Sequence, residues 1–207
     1  MRITLPTIGL AFAVAAAVFA QDAPNKLTRQ EKKDGWKLLF DGKSLKGWTP
    51  RATSAAGETG NWTVAGGAIV CPGTSAGWLS TPVAQADYVL KLDFRGAANV
   101  NSGVFLRSQA EGQPHVTGYE LQIWDFQPAG FNTGSLVGSL KASPTRIAAD
   151  NWNRYEITAK GDHYKIVLNG STLLDGSDAK HTAAGLVGFQ CQKNNKIEFR
   201  NVKLLAK

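Results

Sequence analysis

The chain has few of the residues that mark metal-bound, helical or membrane-embedded proteins. It contains two cysteines and three histidines in 207 residues, and they are not spaced like the ligands of a zinc site. After residue 35 no window keeps a helical hydrophobic period for three turns, and no later apolar run is long enough to cross a bilayer. These absences exclude a zinc-centred fold, a helix bundle and a transmembrane helix. A calcium site built from carboxylates and backbone carbonyls stays open as the one cofactor to consider.

Positive charge is in excess but is not concentrated. The formal net charge is +7, and apart from a short cluster, RQEKKD at 29–34, the basic residues are scattered along the chain. A nucleic-acid site normally needs a basic patch or stripe. We therefore expect no nucleic-acid partner and interpret the charge as a contribution to solubility.

The first twenty residues have the pattern of a secretory signal peptide. Arg2 precedes an apolar run from Ile8 to Ala20, and small residues stand just before Gln21. We predict cleavage near Ala20 and export to the periplasm or beyond. The residue directly after that point is Gln21 and not a cysteine, so a lipid anchor is not expected. The predicted organisation is a signal peptide over 1–20, a polar lead over 21–34 and one domain over 35–207.

The two cysteines would lie in an oxidising compartment after export. Cys71 and Cys191 are far apart in sequence, and such a compartment permits a disulfide between them. Two buried free thiols are the alternative, and the spacing does not distinguish the two.

Strand-like alternation recurs through the domain and predicts about eleven short strands. Together with 22 glycines it indicates an all-β fold, a two-sheet antiparallel β-sandwich. The longest irregular stretch, 126–151, is rich in glycine, proline, serine and threonine, and we expect it to lie over a sheet edge or a binding face. One or two helical turns are predicted within LTRQEKKDG.

One predicted strand, GYELQIWD at 118–125, has an unusual outer face. Its odd-numbered positions are apolar and form a core face, whereas the even-numbered positions are Glu120, Gln122 and Trp124. The same alternation places Gln190 and Arg107 on the polar sides of two other strands.

These polar faces, with Gln192 beside Gln190, have the chemistry of a sugar site. Arginine, carboxylate and amide groups pair with vicinal hydroxyls, and an indole packs on the apolar face of a pyranose. Trp78 is a second candidate for such stacking, and His115 stands just before the Glu120 strand. The alternative is an antiparallel sheet with one solvated face and no function there.

The chain resembles the 3-keto-disaccharide hydrolase domain family, whose fold is a concanavalin A-like, laminin G-like jelly roll. The resemblance is carried, in order, by WKLLFDGKSLKGW, NWTVAGGAIV, NSGVFLRS, YELQIWD, TGSLVG, WNRYEITAKGDHYKIVLNG and GLVGFQCQKNNKIEFRNVKLL. It implies exported proteins that act on oxidised glycosides. In such a substrate a ketone at C3 acidifies the proton on C2, so that one base can start β-elimination of the C1 substituent, and water then adds back.

The resemblance also implies roles for individual residues. Glu120 is the base or an anchor for a sugar hydroxyl, and Arg107 stabilises enolate charge or orients Glu120. Asn101 and Gln122 occupy the family's substrate-binding positions. Asp125 either binds a structural cation or caps the following loop.

The segment FQCQ departs from the family pattern. Many members carry a histidine where this chain has Gln192. A glutamine cannot act as a general acid or base, so His115 is the candidate substitute for proton transfer.

Two other functions compete with a 3-keto-glycoside enzyme. A lectin-like module would use the same face to bind sugar without turnover. A retaining glucanase needs two carboxylates about 5–5.5 Å apart, but the residue two after Glu120 is Gln122 and Asp125 has the opposite parity. The sequence therefore favours single-base chemistry over two-acid hydrolysis.

Overall fold

Two antiparallel sheets pack face to face in the computed structural model, which describes residues 24–53 and 57–207. The predicted all-β sandwich is confirmed. The predicted signal peptide and the first residues of the polar lead lie outside the described residues. No helix in the described part is both long and apolar enough to cross a bilayer.

The strands are short and follow one another in chain order. They are β1 (Lys37–Leu38), β2 (Thr49–Arg51), β3 (Thr63–Ala65), β4 (Ala68–Cys71), β5 (Gly77–Ser80), β6 (Tyr88–Gly96), β7 (Ser102–Ser108), β8 (Tyr119–Ile123), β9 (Asn153–Lys160), β10 (His163–Leu168), β11 (Ser171–Ser177), β12 (Leu186–Cys191) and β13 (Ile197–Ala206).

The larger sheet has eight strands and the smaller has five. The order in the larger sheet is β11, β10, β9, β6, β13, β4, β3, with β1 also paired to β13. The order in the smaller sheet is β2, β5, β12, β7, β8. Because β6 lies in the larger sheet and β7 in the smaller, the polar sides of these consecutive strands face opposite outer surfaces of the sandwich.

In the part of the chain that the structure describes, two short helices flank the sheets. The first, α1 (Arg29–Lys33), lies within the stretch predicted to form one or two turns, and Thr28 and Glu31 form its capping box. The second, α2 (Pro114–Thr117), joins β7 to β8 and contacts both strands.

Two strands were not expected from the sequence, and both lie at sheet edges. Pro50 stands inside β2, where an edge position tolerates its missing N–H. Asp175 and Gly176 interrupt the apolar pattern of β11, which makes its alternation hard to recognise.

The irregular stretch 126–151 runs along the free edge of β8. Ser135 and Gly134 exchange backbone hydrogen bonds with Gln122, and Val137 donates to the carbonyl of Glu120. Ser143 then bonds to Leu173 on β11. The stretch therefore covers a sheet edge, as predicted, and closes the gap between β8 and β11.

A disulfide joins the two sheets through the core. Cys71 on β4 and Cys191 on β12 are bridged, with their Cα atoms 5.5 Å apart. Next to the bridged strand pair, Phe189 of β12 stacks on Phe199 of β13, with ring centroids 4.1 Å apart. The bridged alternative from the sequence is confirmed, and covalent and aromatic contacts hold the same part of the core.

Removing the disulfide should lower stability without changing the fold. A Cys71→Ser/Cys191→Ser variant is expected to lose roughly 2–4 kcal/mol of unfolding free energy, since the bridge closes a loop of 120 residues in the unfolded chain. Urea unfolding of the variant and of wild type with and without reductant measures the loss. Two titratable thiols in the native, unreduced protein would contradict the bridge.

Candidate functional site

The outer face of the smaller sheet is buried, unlike an ordinary solvated sheet face. Every residue of β5, β7 and β8 is buried, whereas β9 in the larger sheet alternates between buried and accessible positions. The solvated-face alternative from the sequence does not describe this surface, because its polar groups are withdrawn from water and need partners.

The strand register places the polar side chains around a glycine. Gln122 pairs with Gly103. Phe189 pairs with Val104, so the next residue of β12, Gln190, lies beside Gly103 on its other side. Glu120 pairs with Phe105, which is two residues after Gly103 on β7 and therefore lies on the same face of the sheet.

Gly103 has no side chain, and this leaves space for the Glu120 side chain to cross β7. A Cβ at position 103 would lie 2.9 Å from Glu120 Cγ and 3.0 Å from its Oε1, which is too close for any other residue without a shift. The Glu120 carboxyl therefore crosses over β7 and interacts with the side chain of Gln190 on β12. Glu120, Gln122 and Gln190 form what we call the polar cluster.

Two oxygens in the polar cluster have no hydrogen-bond donor. Gln122 Oε1 and Gln190 Oε1 are both buried and unpartnered among the described residues. An unsatisfied buried carbonyl of this kind costs about 1–3 kcal/mol. Two of them beside one carboxyl on one face indicate a site for a ligand that donates hydrogen bonds.

Burial makes Glu120 an unusually strong carboxylate base. The side chain is 8% exposed, and desolvation raises its pKa to about 7, against a smaller opposing effect from Gln190. The floor beside it is aromatic, with Phe105 packed edge-on against Trp78 at 5.6 Å between ring centroids. No other residue of the five strands in this sheet is acidic, so no like charge contributes to the shift.

Trp78 lies on the predicted face but presents no stacking surface. It is fully buried, and its indole N–H donates to the carbonyl of Ala52 at 3.1 Å. The ring lies over Gly188, where a Cβ would come within 2.5 Å of it. Trp78 thus supports the floor of the site.

The outward orientation predicted for Arg107 is wrong. Leu186 pairs with Ser108, and Gly188 pairs with Phe105. Between these two pairs β7 advances by three residues and β12 by only two, so β7 contains one extra residue. This extra residue is a β-bulge, and Arg107 takes a positive φ of 55° there. The bulge turns Arg107 toward the interior, away from the polar cluster.

The Arg107 guanidinium is 1% exposed and bonded to structural partners. It donates to the carbonyls of Ala86, Gly161 and His181 at 2.6–3.0 Å, to the Tyr164 hydroxyl at 2.7 Å and to Asp87 at 3.2 Å. These partners come from three separate loops and from β10. Arg107 therefore ties together one end of the sandwich, and its predicted contact with Glu120 is not present.

Four other predicted residues lie around the face without joining the polar cluster. Gln192 is exposed in the turn after β12, and Trp124 is half-buried just after β8. Asn101 precedes β7, and its N–H donates to Asn195. His115 is exposed on α2, where partial desolvation by its surroundings lowers its pKa.

Asp125 has a structural role that matches the loop-capping alternative. One carboxylate oxygen accepts from the Thr133 hydroxyl at 2.6 Å and the other from the Ile147 N–H at 3.0 Å. Both oxygens are thus used within the loop. Within residues 24–53 and 57–207, no three His, Cys, Asp or Glu side chains come together in a way that would hold a metal ion.

No role was predicted for Gly103, Gly188 or Arg51, which also belong to this face. Gly103 and Gly188 stand inside strands, which is a recognised signal for a close approach of other atoms. Arg51 lies in the unexpected edge strand β2, and its guanidinium stands 5.9 Å from the centre of the Trp78 ring.

Solved structures with a similar sandwich include three that are named for sugar cleavage or sugar binding. A candidate glycosyl hydrolase from Parabacteroides distasonis has a TM-score of 0.73 and 23% identity, covering 88% of this chain and 98% of that chain. A second from the same organism has a TM-score of 0.69 and 22% identity, covering 83% and 99%. The carbohydrate-binding module CBM66 from Bacillus subtilis has a TM-score of 0.58 and 17% identity, covering 76% and 94%. At these identities the likeness shows a shared fold.

The sequence itself matches one family over most of its length. No protein with a curated description matches the chain. The model of the 3-keto-alpha-glucoside-1,2-lyase-like domain, however, matches residues 35–205, which agrees with the resemblance carried by the seven stretches. The chain belongs to the 3-keto-alpha-glucoside-1,2-lyase-like family.

Proposed function

We propose that the protein cleaves 3-keto-glycosides at the polar cluster, with Glu120 as the base. One observation carries this proposal: a buried carboxyl with its pKa raised to about 7 stands beside two amides on a sheet whose five strands contain no other acidic residue. The family match supports the substrate class.

The reaction begins with removal of the proton on C2. Ionised Glu120 takes this proton, and the electron pair of the C–H bond moves toward the C3 ketone to give an enolate. The enolate then expels the C1 substituent, which takes a proton from solvent water and leaves as an alcohol. Water adds to C1 of the resulting unsaturated ketone while C2 regains a proton, so the net change is hydrolysis. A base with a pKa near the working pH is well matched to the first step.

The glutamines bind and orient the sugar in this scheme. Their side-chain N–H groups can donate to the oxygen on which enolate charge develops. The unpartnered Oε1 atoms of Gln122 and Gln190 accept from sugar hydroxyls. Ligand binding would therefore satisfy two buried oxygens that the free protein leaves without donors.

A lectin-like module is the second candidate function. Unpartnered acceptors on a buried polar face also suit binding without turnover, and the CBM66 fold is similar. The two functions differ in one requirement, because only the enzyme needs Glu120 to lose its proton.

The pH dependence of turnover tests the enzymatic function directly. We expect 3-keto-trehalose to be converted to free glucose, with kcat/KM falling about tenfold per pH unit below an apparent pKa near 7, since protonated Glu120 cannot act as base. A coupled glucose assay from pH 4.5 to 9 measures the profile. Sugar binding without glucose release at any pH would support the lectin-like function and overturn the enzymatic one.

Export through the N-terminal segment belongs to the same proposal. The predicted signal peptide would deliver the chain to an oxidising compartment, and a disulfide between the two sheets suits such a compartment. Cell fractionation with N-terminal sequencing of the mature protein tests this, and an intact Met1 on cytoplasmic protein would contradict it.

A further inference from the structure

A cleft of about 610 Å³ opens beside the edge strand β2. One wall is formed by β2 and the residues after it, and the other by the loop between β7 and α2. The lining residues are Pro50, Arg51, Ala52, Thr59, Ala110, Glu111, Gly112 and Gln113. Both segments adjoin the face that carries the polar cluster, so the cleft and the polar cluster belong to one surface.

Arg51 is the side chain that connects the two walls. Its Nε donates to the Ser80 hydroxyl at 2.8 Å, and its Nη1 donates to the carbonyl of Ala110 at 3.3 Å. An arginine has five N–H donors, and these bonds use two of them within the described residues. The Ser80 bond fixes the guanidinium over β5, in a defined place relative to the sheet.

The register places Arg51 in line with the polar cluster. Arg51 pairs with Trp78, and Trp78 pairs with Gln190. Neighbouring strands are about 4.8 Å apart, so the backbones of Arg51 and Gln190 are separated by about 10 Å across the sheet, and the Arg51 guanidinium lies above β5, the strand between them. A sugar linked to a pyranose bound at Glu120 and Gln190 would extend along this line toward Arg51 and the cleft.

The walls of the cleft combine apolar and polar groups and are balanced in charge. Arg51 faces the loop that carries Glu111, and the neutral groups of Thr59 and Gln113 complete the polar lining. A guanidinium and a carboxylate together suit paired hydroxyl groups, and the opposite charges leave no excess to attract an anion.

We propose that this cleft binds the departing part of the substrate, an uncharged sugar unit, and that Arg51 determines the preference for it. This inference rests on the proposed function, since it assigns the leaving group of that reaction to a second place on the same face. Arg51 acts on specificity and takes no part in proton transfer.

Two substrates with the same reacting ring test the inference. 3-keto-trehalose carries a glucose leaving group, and methyl 3-keto-α-glucoside carries methanol. We expect wild type to have the higher kcat/KM for 3-keto-trehalose, and Arg51→Ala to lose about tenfold or more on that substrate while the methyl glycoside changes little. Arg51→Lys should recover only part of the preference, because an ammonium lacks the planar fork. Arg29→Ala, on α1, is the matched control and should leave both values unchanged.

The outcomes separate this inference from the function on which it rests. If wild type cleaves neither substrate, the proposed function fails, and the assignment of a leaving-group cleft fails with it. A second outcome is that wild type cleaves both substrates while Arg51→Ala lowers the two kcat/KM values by the same factor, or leaves both unchanged. In that case only the inference is overturned. A faster reaction with a glucuronate leaving group than with glucose, further increased by Glu111→Gln, would show that the cleft selects anions and would overturn the uncharged assignment.

Discussion

Replacing Glu120 by glutamine is expected to abolish turnover and to stabilise the protein at alkaline pH. Glutamine keeps the shape of the side chain but cannot accept the C2 proton, so kcat should fall by at least 10²–10⁴-fold. The free energy of unfolding should increase at the same time, because the variant no longer holds a carboxylate in a buried site. Loss of activity together with a gain in stability is characteristic of a functional group kept in an unfavourable environment.

The sign of the stability change follows from the direction of the pKa shift. Burial raises the pKa of Glu120 from 4.5 to about 7, so the wild-type protein is most stable relative to its unfolded state below pH 4.5 and loses that contribution as the pH rises through 7. The shift corresponds to about 3 kcal/mol. At pH 8.5 Glu120→Gln should therefore melt roughly 6–12 °C above wild type, and near pH 4 the two should be similar.

Thermal unfolding of both proteins between pH 4 and 9 measures this difference. Glu156→Gln is a suitable control, since Glu156 lies on the larger sheet in a half-exposed ion pair with Lys91 and should change stability by less than about 1 kcal/mol. A Glu120→Gln protein that keeps its turnover would exclude Glu120 as the base. A variant destabilised by the same amount at every pH would instead give Glu120 a structural role.

The members of the polar cluster were predictable from the sequence because they lie in regular strands. Glu120, Gln122 and Gln190 all point to the side that simple alternation assigns to them. Alternation depends only on local backbone geometry, so a short stretch of sequence contains it. Their burial was not predictable, because alternation assigns a side chain to a face of the sheet and does not determine how far that face is withdrawn from water.

Arg107 was misplaced because one extra residue reverses alternation. The bulge lies where β7 meets β12, and its existence depends on a strand some eighty residues later in the chain. Position 107 is occupied by an arginine, which gives no indication of a positive φ, whereas a glycine would have done so. Similarly, Gln192 and Trp124 lie just beyond strand ends, where parity no longer fixes the side-chain direction. The prediction failed where pairing between distant strands, or the end of a strand, determines orientation.

Replacing Arg107 by methionine is expected to destabilise the whole sandwich while leaving the chemistry of the folded protein largely intact. Methionine fills a similar volume but leaves the carbonyls of Ala86, Gly161 and His181 without their donor. Removing one partner from a buried charged network typically costs about 3–5 kcal/mol. Because Asp87 is partly exposed, most of this loss should come from the carbonyls and from the Tyr164 hydroxyl rather than from the ion pair.

Thermal unfolding and steady-state kinetics together distinguish this structural role from the catalytic role that the sequence predicted. We expect Arg107→Met to melt roughly 6–20 °C below wild type, and Arg107→Lys to lose less because the charge remains. For the fraction that is folded at low temperature, kcat/KM with 3-keto-trehalose should stay within a few-fold of wild type. A variant with normal stability and a large loss of turnover would show that Arg107 acts on the substrate after all. The polar cluster would then have to include a cation that enters the site from the interior of the sandwich.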